Sequence, residues 1–258
     1  MTEVVLYEVK NRVATLTLNR PQARNAMNKM MRMALIEKLD CALNDDDVRV
    51  IVLAATAPVF CAGADLKDDM GPDFFPQEEL EKEFKPSLMR IAKGGKPVIA
   101  AVNGPAAGIG AAYALACDLC VMANDASIYM AFAHIGFIPD GGATWQLLRG
   151  MGRRRAYELI ATGGKLTAEE CLQYGFANRV VPADNLAHTA QMLAEQLAEQ
   201  APLALRYAKE ALYRVSTLDL EDAISFEASL QNYCVRSEDG REGVSAFLEK
   251  RKPVYKGK

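Results

Sequence analysis

The chain has 258 residues, 50 % of them hydrophobic, and a formal net charge of −3. That is enough to bury a sizeable core in one large domain or in one domain with an appended subdomain, and the acid excess argues against a partner drawn by global charge, whether nucleic acid or anionic membrane. Mean hydropathy is −0.03, and no apolar run approaches the roughly 18 residues of a membrane span.

The N-terminus, Met1 to Lys10, carries acids and reads as a strand. It lacks the basic start, apolar middle and small-residue cleavage site of a signal peptide, so a cytoplasmic protein is expected. Val4–Val9 and Val13–Leu18 alternate as β runs about a turn at Asn11-Arg12, a hairpin signal. Asn28 is placed to cap a helix to about Asn44, with Met31, Leu35, Leu39, Ala42 and Leu43 at helical spacing. Val48–Ala54 is an apolar strand, Gly71–Gln77 a mobile loop, and Glu78–Lys93 an amphipathic helix ended by Gly94-Gly95. Lys96–Val102 is a second buried strand, Gly108–Ala116 a small, tightly packed helix, and Leu119–Ala123 and Ser127–Met130 further strands. From Gly142 on the pattern is helical: Thr144–Arg149, Arg153–Thr162, Thr167–Tyr174, Asn185–Gln200, Leu203–Val215, Leu218–Val235 and Glu238–Lys250. Strands alternating with helices, then helices alone, predict an α/β core over 1–200 and a helical C-terminal region over 201–258, one functional unit.

The six cysteines are scattered. Cys117 and Cys120 form a C-x-x-C, but no second pair or nearby histidine completes a zinc set, and buried structural thiols are expected. The only histidines are His134 and His188, which restricts any nucleophile–histidine mechanism to one of them.

Three segments carry candidate chemistry. In Val98-Ile-Ala-Ala-Val-Asn-Gly-Pro-Ala-Ala-Gly-Ile-Gly110 a buried strand runs through a glycine-rich turn into a helix. Free N–H groups at such a helix start suit a phosphate or a developing oxyanion, although glycines for close helix–strand packing leave the same pattern. Phe60-Cys-Ala-Gly-Ala-Asp-Leu66 follows the Val48–Ala54 strand, where small residues present main-chain groups to a ligand at the strand's carboxyl end, or form an ordinary tight loop. In Met130-Ala-Phe-Ala-His-Ile-Gly-Phe-Ile-Pro-Asp-Gly-Gly-Ala-Thr-Trp145 one acid, Asp140, stands among apolar residues. Phe132, Phe137 and Ile138 are placed to desolvate it and raise its pKa; the competing role is an N-cap for the next helix.

Taken in order and at these separations, the three segments resemble the crotonase (enoyl-CoA hydratase/isomerase) superfamily. So do Leu18-Asn-Arg-Pro21, Asn25-Ala-Met27 and Arg241-Glu-Gly-Val-Ser-Ala-Phe-Leu-Glu-Lys-Arg251. The resemblance spans nearly the whole chain. It implies a spiral of ββα units with a helical C-terminal trimerisation region, a homotrimer or dimer of trimers, and an acyl-CoA thioester as substrate, with no separate cofactor and no metal, nucleic-acid or membrane partner. It assigns the oxyanion donors to the N–H groups of Ala64 and Ile109, the latter at a position usually glycine. Coenzyme A contacts fall on Arg24, Ala26, Ala62, Asp65 and Leu66, and on Phe247 and Lys250 from the same or a neighbouring subunit.

The two glutamates that hold water in the family's hydratases match Ala112 and Phe132, and neither moves a proton. Asp140 matches the acid of one isomerase branch, which implies a double-bond shift or ring-epoxide rearrangement with one carboxyl as acid and base. The dehalogenase branch pairs an Asp here with a Trp and a His; Phe132 stands at the Trp position and no His lies between Leu66 and Val102. Two alternatives remain. One is a hydratase using an acid among Asp68, Asp69, Asp73, Glu78 and Glu79. The other is a non-catalytic relative that binds CoA, or RNA through Arg149, Arg153, Arg154 and Arg155. Trp145 and Tyr113 are read as packing, Asp118 as a structural acid, and His134 as turned from the site.

Overall fold

A computed structural model describes residues 3–68 and 75–258. Its first elements are an antiparallel hairpin, β1 (Val5–Lys10) and β2 (Val13–Leu18), with Val5 opposite Leu18. Asn11 and Arg12 make the turn with φ of 52° and 65°, the left-handed pair that matches strand twist in a two-residue loop. Helix α1 (Lys29–Asn44) starts where Asn28 accepts the Met31 N–H at 3.1 Å, and buries Met31, Leu35, Leu39 and Ala42 as one stripe.

Strands β3 (Val50–Ala55), β4 (Val98–Val102), β6 (Leu119–Ala123) and β9 (Arg179–Val181) extend the hairpin in parallel, in the order β1-β2-β3-β4-β6-β9. All of β4 and Val50–Leu53 of β3 are buried, which is why they read as unbroken apolar runs rather than alternating ones. Strands β5 (Pro105–Ala107), β7 (Ser127–Tyr129) and β8 (Lys165–Thr167) form a smaller second sheet. β4–β5 is followed by α4 (Ile109–Ala116), and β6–β7 by a 3-10 turn (Ala131–Ile135) leading to α5 (Ala143–Ala161). These two turns each lay one strand in each sheet and then a helix, as in the expected α/β spiral of ββα units.

Between β3 and β4 the chain forms α2 (Pro76–Glu79), a π turn (Leu80–Phe84) and α3 (Lys85–Lys93), where one helix from Glu78 was predicted. The residues of the predicted Gly71–Gln77 loop divide: Pro76 and Gln77 are helical, and 71–74 lie outside the described residues. Helix α5 breaks at Gly152 (φ 75°, ψ 164°), which accounts for the two helices read from the sequence. The rest is α6 (Ala168–Gln173), capped by Thr167 and Glu170 in a capping box, then α7 (Leu186–Ala198), α8 (Pro202–Val215), α9 (Leu220–Arg236) and α10 (Glu238–Glu249). Helix α7 packs across β2, β3, β4 and β6.

The C-terminal helices are tied to the core by partly buried polar contacts. Lys209 of α8 donates to Asp118 (2.7 Å) and to the carbonyls of Ile91 and Lys96, while Asp118 accepts the Val98 N–H. Arg49 reaches the carbonyls of Ala198 and Tyr255. No helix of the described residues is long and apolar enough to cross a membrane.

Candidate active site

Because β3 and β4 are parallel neighbours, their carboxyl ends open on one edge of the sheet, where α/β proteins place their ligands. The loop after β3 is laced on both sides. Met27 donates to Gly63 O (2.9 Å) and Ala62 to Arg24 O (3.0 Å) on one side, and Ala107 donates to Cys61 O (2.8 Å) on the other. The two glycine turns touch: a Cβ on Gly63 would lie 3.2 Å from Ala107 O and 3.8 Å from Gly108 Cα. Gly108, at φ 55° and ψ −131°, holds a conformation open in practice only to glycine. It turns the chain so that Ile109 begins α4.

Ala64 is exposed, and Ile109 is the first residue of its helix, where a backbone N–H has no intrahelical acceptor. Among the described residues neither N–H donates to a protein acceptor. The glycines therefore do serve close packing, and the packing brings two unused donors to one edge.

Asp140 reaches this edge through its neighbour. A Cβ on Gly141 (φ 59°) would lie 2.8 Å from Ala112 Cβ, 3.0 Å from Ile109 Cγ1 and 3.3 Å from Leu88 Cδ1. Asp140-Gly141 is thus seated on the first turn of α4, beside Ile109. Phe132 is buried, and a Cβ on Gly108 would meet its Cζ at 3.8 Å. Asp140, Ile109, Ala112 and Phe132 form one cluster, with apolar side chains at both positions matched to the family's glutamates.

The Asp140 Oδ1 is buried with no hydrogen-bond partner. Burial pushes the carboxyl up to about 6, against the opposing pull of its own backbone N–H and with a further push from Glu79. Asp140 does not cap α5: Gly142 occupies that place, and Asp140 accepts the Ala143 N–H with its main-chain oxygen at 3.0 Å. The source of its burial also differs from the expectation. Phe137 and Ile138 are 59 % and 81 % exposed; the side chains against this segment are Leu88, Ile109 and Ala112.

Of the residues matched to coenzyme A, Arg24, Ala26, Ala62, Asp65 and Leu66 come together around the lacing of the β3 loop. Arg24 (φ 51°), Ala62 and Leu66 are exposed. Asp65 is braced by Arg20 at 2.9 Å and by the Lys67 N–H; these contacts and the two positive charges outweigh partial burial and hold the carboxyl below its usual range. Phe247 and Lys250 are not joined to this group by any hydrogen bond or ion pair of the described residues. Phe247 is exposed on α10, which packs on α9, and Lys250 is exposed just past the end of that helix.

The other candidates are accounted for within the fold. His134 turns to the Gly163 carbonyl (Nε2 to O 3.0 Å). Tyr113 is buried with its hydroxyl on Ser87 at 2.5 Å, and Trp145 lies between Tyr213 and Arg149. Arg153, Arg154 and Arg155 are exposed on α5, with Arg155 over Tyr174. Cys120 is buried and Cys117 half-buried, and both are free. Among the alternative acids, Glu78 pairs with Lys82, while Asp68 and Glu79 pair with Arg32; Asp69 and Asp73 lie outside the described residues. Sequence reasoning missed Arg32, which is 3 % exposed. Its only signal was a charge one position after Met31 in the buried stripe.

The sequence model described as enoyl-CoA hydratase/isomerase matches residues 8–258. The chain is 42 % identical over 262 residues to a 1,2-epoxyphenylacetyl-CoA isomerase of Escherichia coli (strain K12), covering 100 % of both. It is 36 % identical over 259 residues to a 2,3-dehydroadipyl-CoA hydratase of the same organism, again covering 100 % of both. Among solved structures, an enoyl-CoA hydratase from Bacillus anthracis superposes with a TM-score of 0.93 at 33 % identity, covering 99 % of this chain and 100 % of that one.

Proposed function

The chain belongs to the enoyl-CoA hydratase/isomerase family, and on that premise we propose that it is an acyl-CoA isomerase, shifting a double bond or rearranging a ring epoxide with Asp140 as the sole acid and base. Asp140 removes a proton from the α- or γ-carbon of the acyl group. The electron pair moves into the conjugated system, and the thioester oxygen becomes an enolate oxyanion. The N–H groups of Ala64 and Ile109 donate to that oxygen. Asp140 then returns the proton to another carbon, and the enolate collapses with its double bond moved. The step is redox-neutral, so it needs no nicotinamide or flavin. The thioester's coenzyme A runs along Arg24, Ala26, Ala62, Asp65 and Leu66, with Phe247 and Lys250 supplied across a subunit contact.

One observation carries the reading: a half-buried carboxyl with one buried, unpartnered oxygen stands beside a free helix-start N–H, while Ala112 and Phe132 are apolar. Hydration is the second reading, favoured by the similarity to a hydratase. Adding water needs a base for the water and an acid for the carbon, and neither Ala112 nor Phe132 can serve. The test is a panel of 3-enoyl-CoA, ring-epoxide-CoA and crotonyl-CoA in deuterated water. The expected result is deuterium at the α- or γ-carbon with double-bond migration or ring rearrangement. Rapid hydration of crotonyl-CoA with no migration would overturn the assignment.

A homotrimer or dimer of trimers fits the C-terminal helices, where Leu212, Leu220, Phe247 and Leu248 are 75 %, 78 %, 82 % and 73 % exposed in the single chain. That exposed apolar surface supports a subunit contact there. Light scattering should give three or six times the 28.2 kDa chain mass; a monomer at micromolar concentration would refute it.

A further inference from the structure

Asp140 and the Ile109 N–H belong to different segments, so their spacing is set where those segments touch. A Cβ on Gly141 would lie 2.8 Å from Ala112 Cβ, 3.0 Å from Ile109 Cγ1 and 3.3 Å from Leu88 Cδ1, against the ~3.5–4.0 Å at which two carbons rest. Ile109 and Leu88 meet Gly141 with longer side chains that can shift. Ala112 cannot give way: its Cβ is fixed to the backbone of α4, and the residue is buried.

The helix cannot retreat from this contact either. Gly110, one residue after Ile109, is packed so closely on the β3 loop that a Cβ there would lie 2.7 Å from the Cβ, O and Sγ of Cys61. Cys61 is held in turn by β5, donating to Pro105 O at 3.3 Å and accepting the Ala107 N–H at 2.8 Å. Gly108 donates to Tyr129 O of β7 at 3.0 Å and accepts the Ala111 N–H at 3.0 Å. The start of α4 is therefore fixed to the β3 loop, β5 and β7. The acid's segment is the compliant side. Phe137 and Ile138 before it are exposed, and a Cβ on Gly142 after it would meet nothing within 4 Å. Strain placed on the contact between Gly141 and Ala112 moves the acid and leaves the donors where they are.

We propose that Gly141 is a positioning residue, and that its contact with Ala112 sets the register of the Asp140 carboxyl against the Ile109 N–H. This rests on Asp140 as the acid/base. Gly141 meets both demands of its place. Its φ of 59° is one that residues with a Cβ adopt only with strain, and it puts no side chain between the segment and α4. Proton transfer needs the acid in reach of the acyl carbon while the thioester oxygen sits on its donors, so the register acts on kcat more than on binding.

The test is steady-state kinetics on a 3-enoyl-CoA with the intact protein, alongside circular dichroism and Tm. Gly141→Ala should lower kcat about ten- to a hundredfold, the loss that ~1 Å of misplacement produces, with KM little changed. Gly142→Ala is the control. Its φ of 85° carries the same left-handed penalty, but its added Cβ meets open space, so it should lose Tm comparably and keep kcat. Ala112→Val loads the same contact from the helix side without altering Gly141, and should also lower kcat with KM held. In the Gly141→Ala background, Ala112→Gly removes the opposing Cβ and should recover most of the lost kcat, although a glycine inside a helix lowers Tm further. That opposite movement of rate and stability is one a merely structural role does not produce. Wild-type kcat in Gly141→Ala or in Ala112→Val would overturn the proposal, as would equal kcat losses in Gly141→Ala and Gly142→Ala, or no recovery in the double variant. The two readings fail separately. Full activity in Asp140→Asn defeats the proposed reaction, whereas a kcat indifferent to the Gly141–Ala112 contact defeats only the register.

Discussion

Asp140→Asn should lower kcat for double-bond migration by about a hundred- to ten-thousand-fold, the usual contribution of a positioned acid or base, and should make the protein more stable above pH 6. The two effects share one cause. Apolar packing raises the folded-state carboxyl to about 6, whereas an unfolded aspartate titrates near 3.9. Between those values the folded protein holds a proton that the unfolded chain has released. Stability from this site is therefore complete at low pH, is lost as pH rises from about 4, and is gone above about 6. The full interval corresponds to roughly 3 kcal/mol, and solvent on the open side of Asp140 reduces that to about 1–2 kcal/mol. Asparagine cannot ionise, so denaturant midpoints should favour the variant at pH 7.5 and converge with wild type near pH 4. In wild type, kcat/KM should fall tenfold per unit below about pH 6, because proton removal requires the ionised form. A variant that kept its rate, or that gained stability equally at both pH values, would remove Asp140 from the chemistry.

The elements most legible in the sequence were those whose pattern is longer than their ambiguity. The α1 stripe from Met31 to Ala42 runs for three turns, and β3 and β4 are apolar throughout, as strands buried in a parallel sheet are. Strands β5, β8 and β9 went unseen: at three residues each they have no period to detect, and they exist because β7 and β6 offer them partners. The site shows the same division. Asp140 was visible as a lone acid in an apolar stretch, but the side chains that bury its segment were not. Phe137 and Ile138 are neighbours in sequence and face outward, whereas Leu88, Ile109 and Ala112 arrive from other elements. Arg32 is the sharper case. A charged residue in a helix is ordinarily solvated, and its burial follows only from acids that converge on it through tertiary structure.

Replacing Ile109 with proline should cost on the order of a hundred- to a thousand-fold in kcat, the loss expected when one of two oxyanion donors is removed. The backbone permits the test. Ile109 is the first residue of α4, the helical position where proline is best tolerated because the missing N–H has no intrahelical acceptor in any case. Gly108, with ψ of −131°, is outside the helical region that a following proline disfavours. The substitution also trims a side chain that is 3 % exposed and lies against Gly141, which costs about 1–3 kcal/mol of stability by itself. Ile109→Ala separates the two losses: it removes comparable packing but keeps the N–H. The alanine variant should stay within about tenfold of wild-type kcat, since a uniform loosening of substrate contact moves KM more than kcat. The proline variant should lose kcat with KM little changed, because the missing hydrogen bond strengthens only as charge builds on the thioester oxygen. Equal rates for proline and alanine would mean that this N–H does not touch the developing charge. The enolate would then need another donor, and the arrangement of Gly63, Gly108 and Asp140 would be a packing solution without a catalytic one.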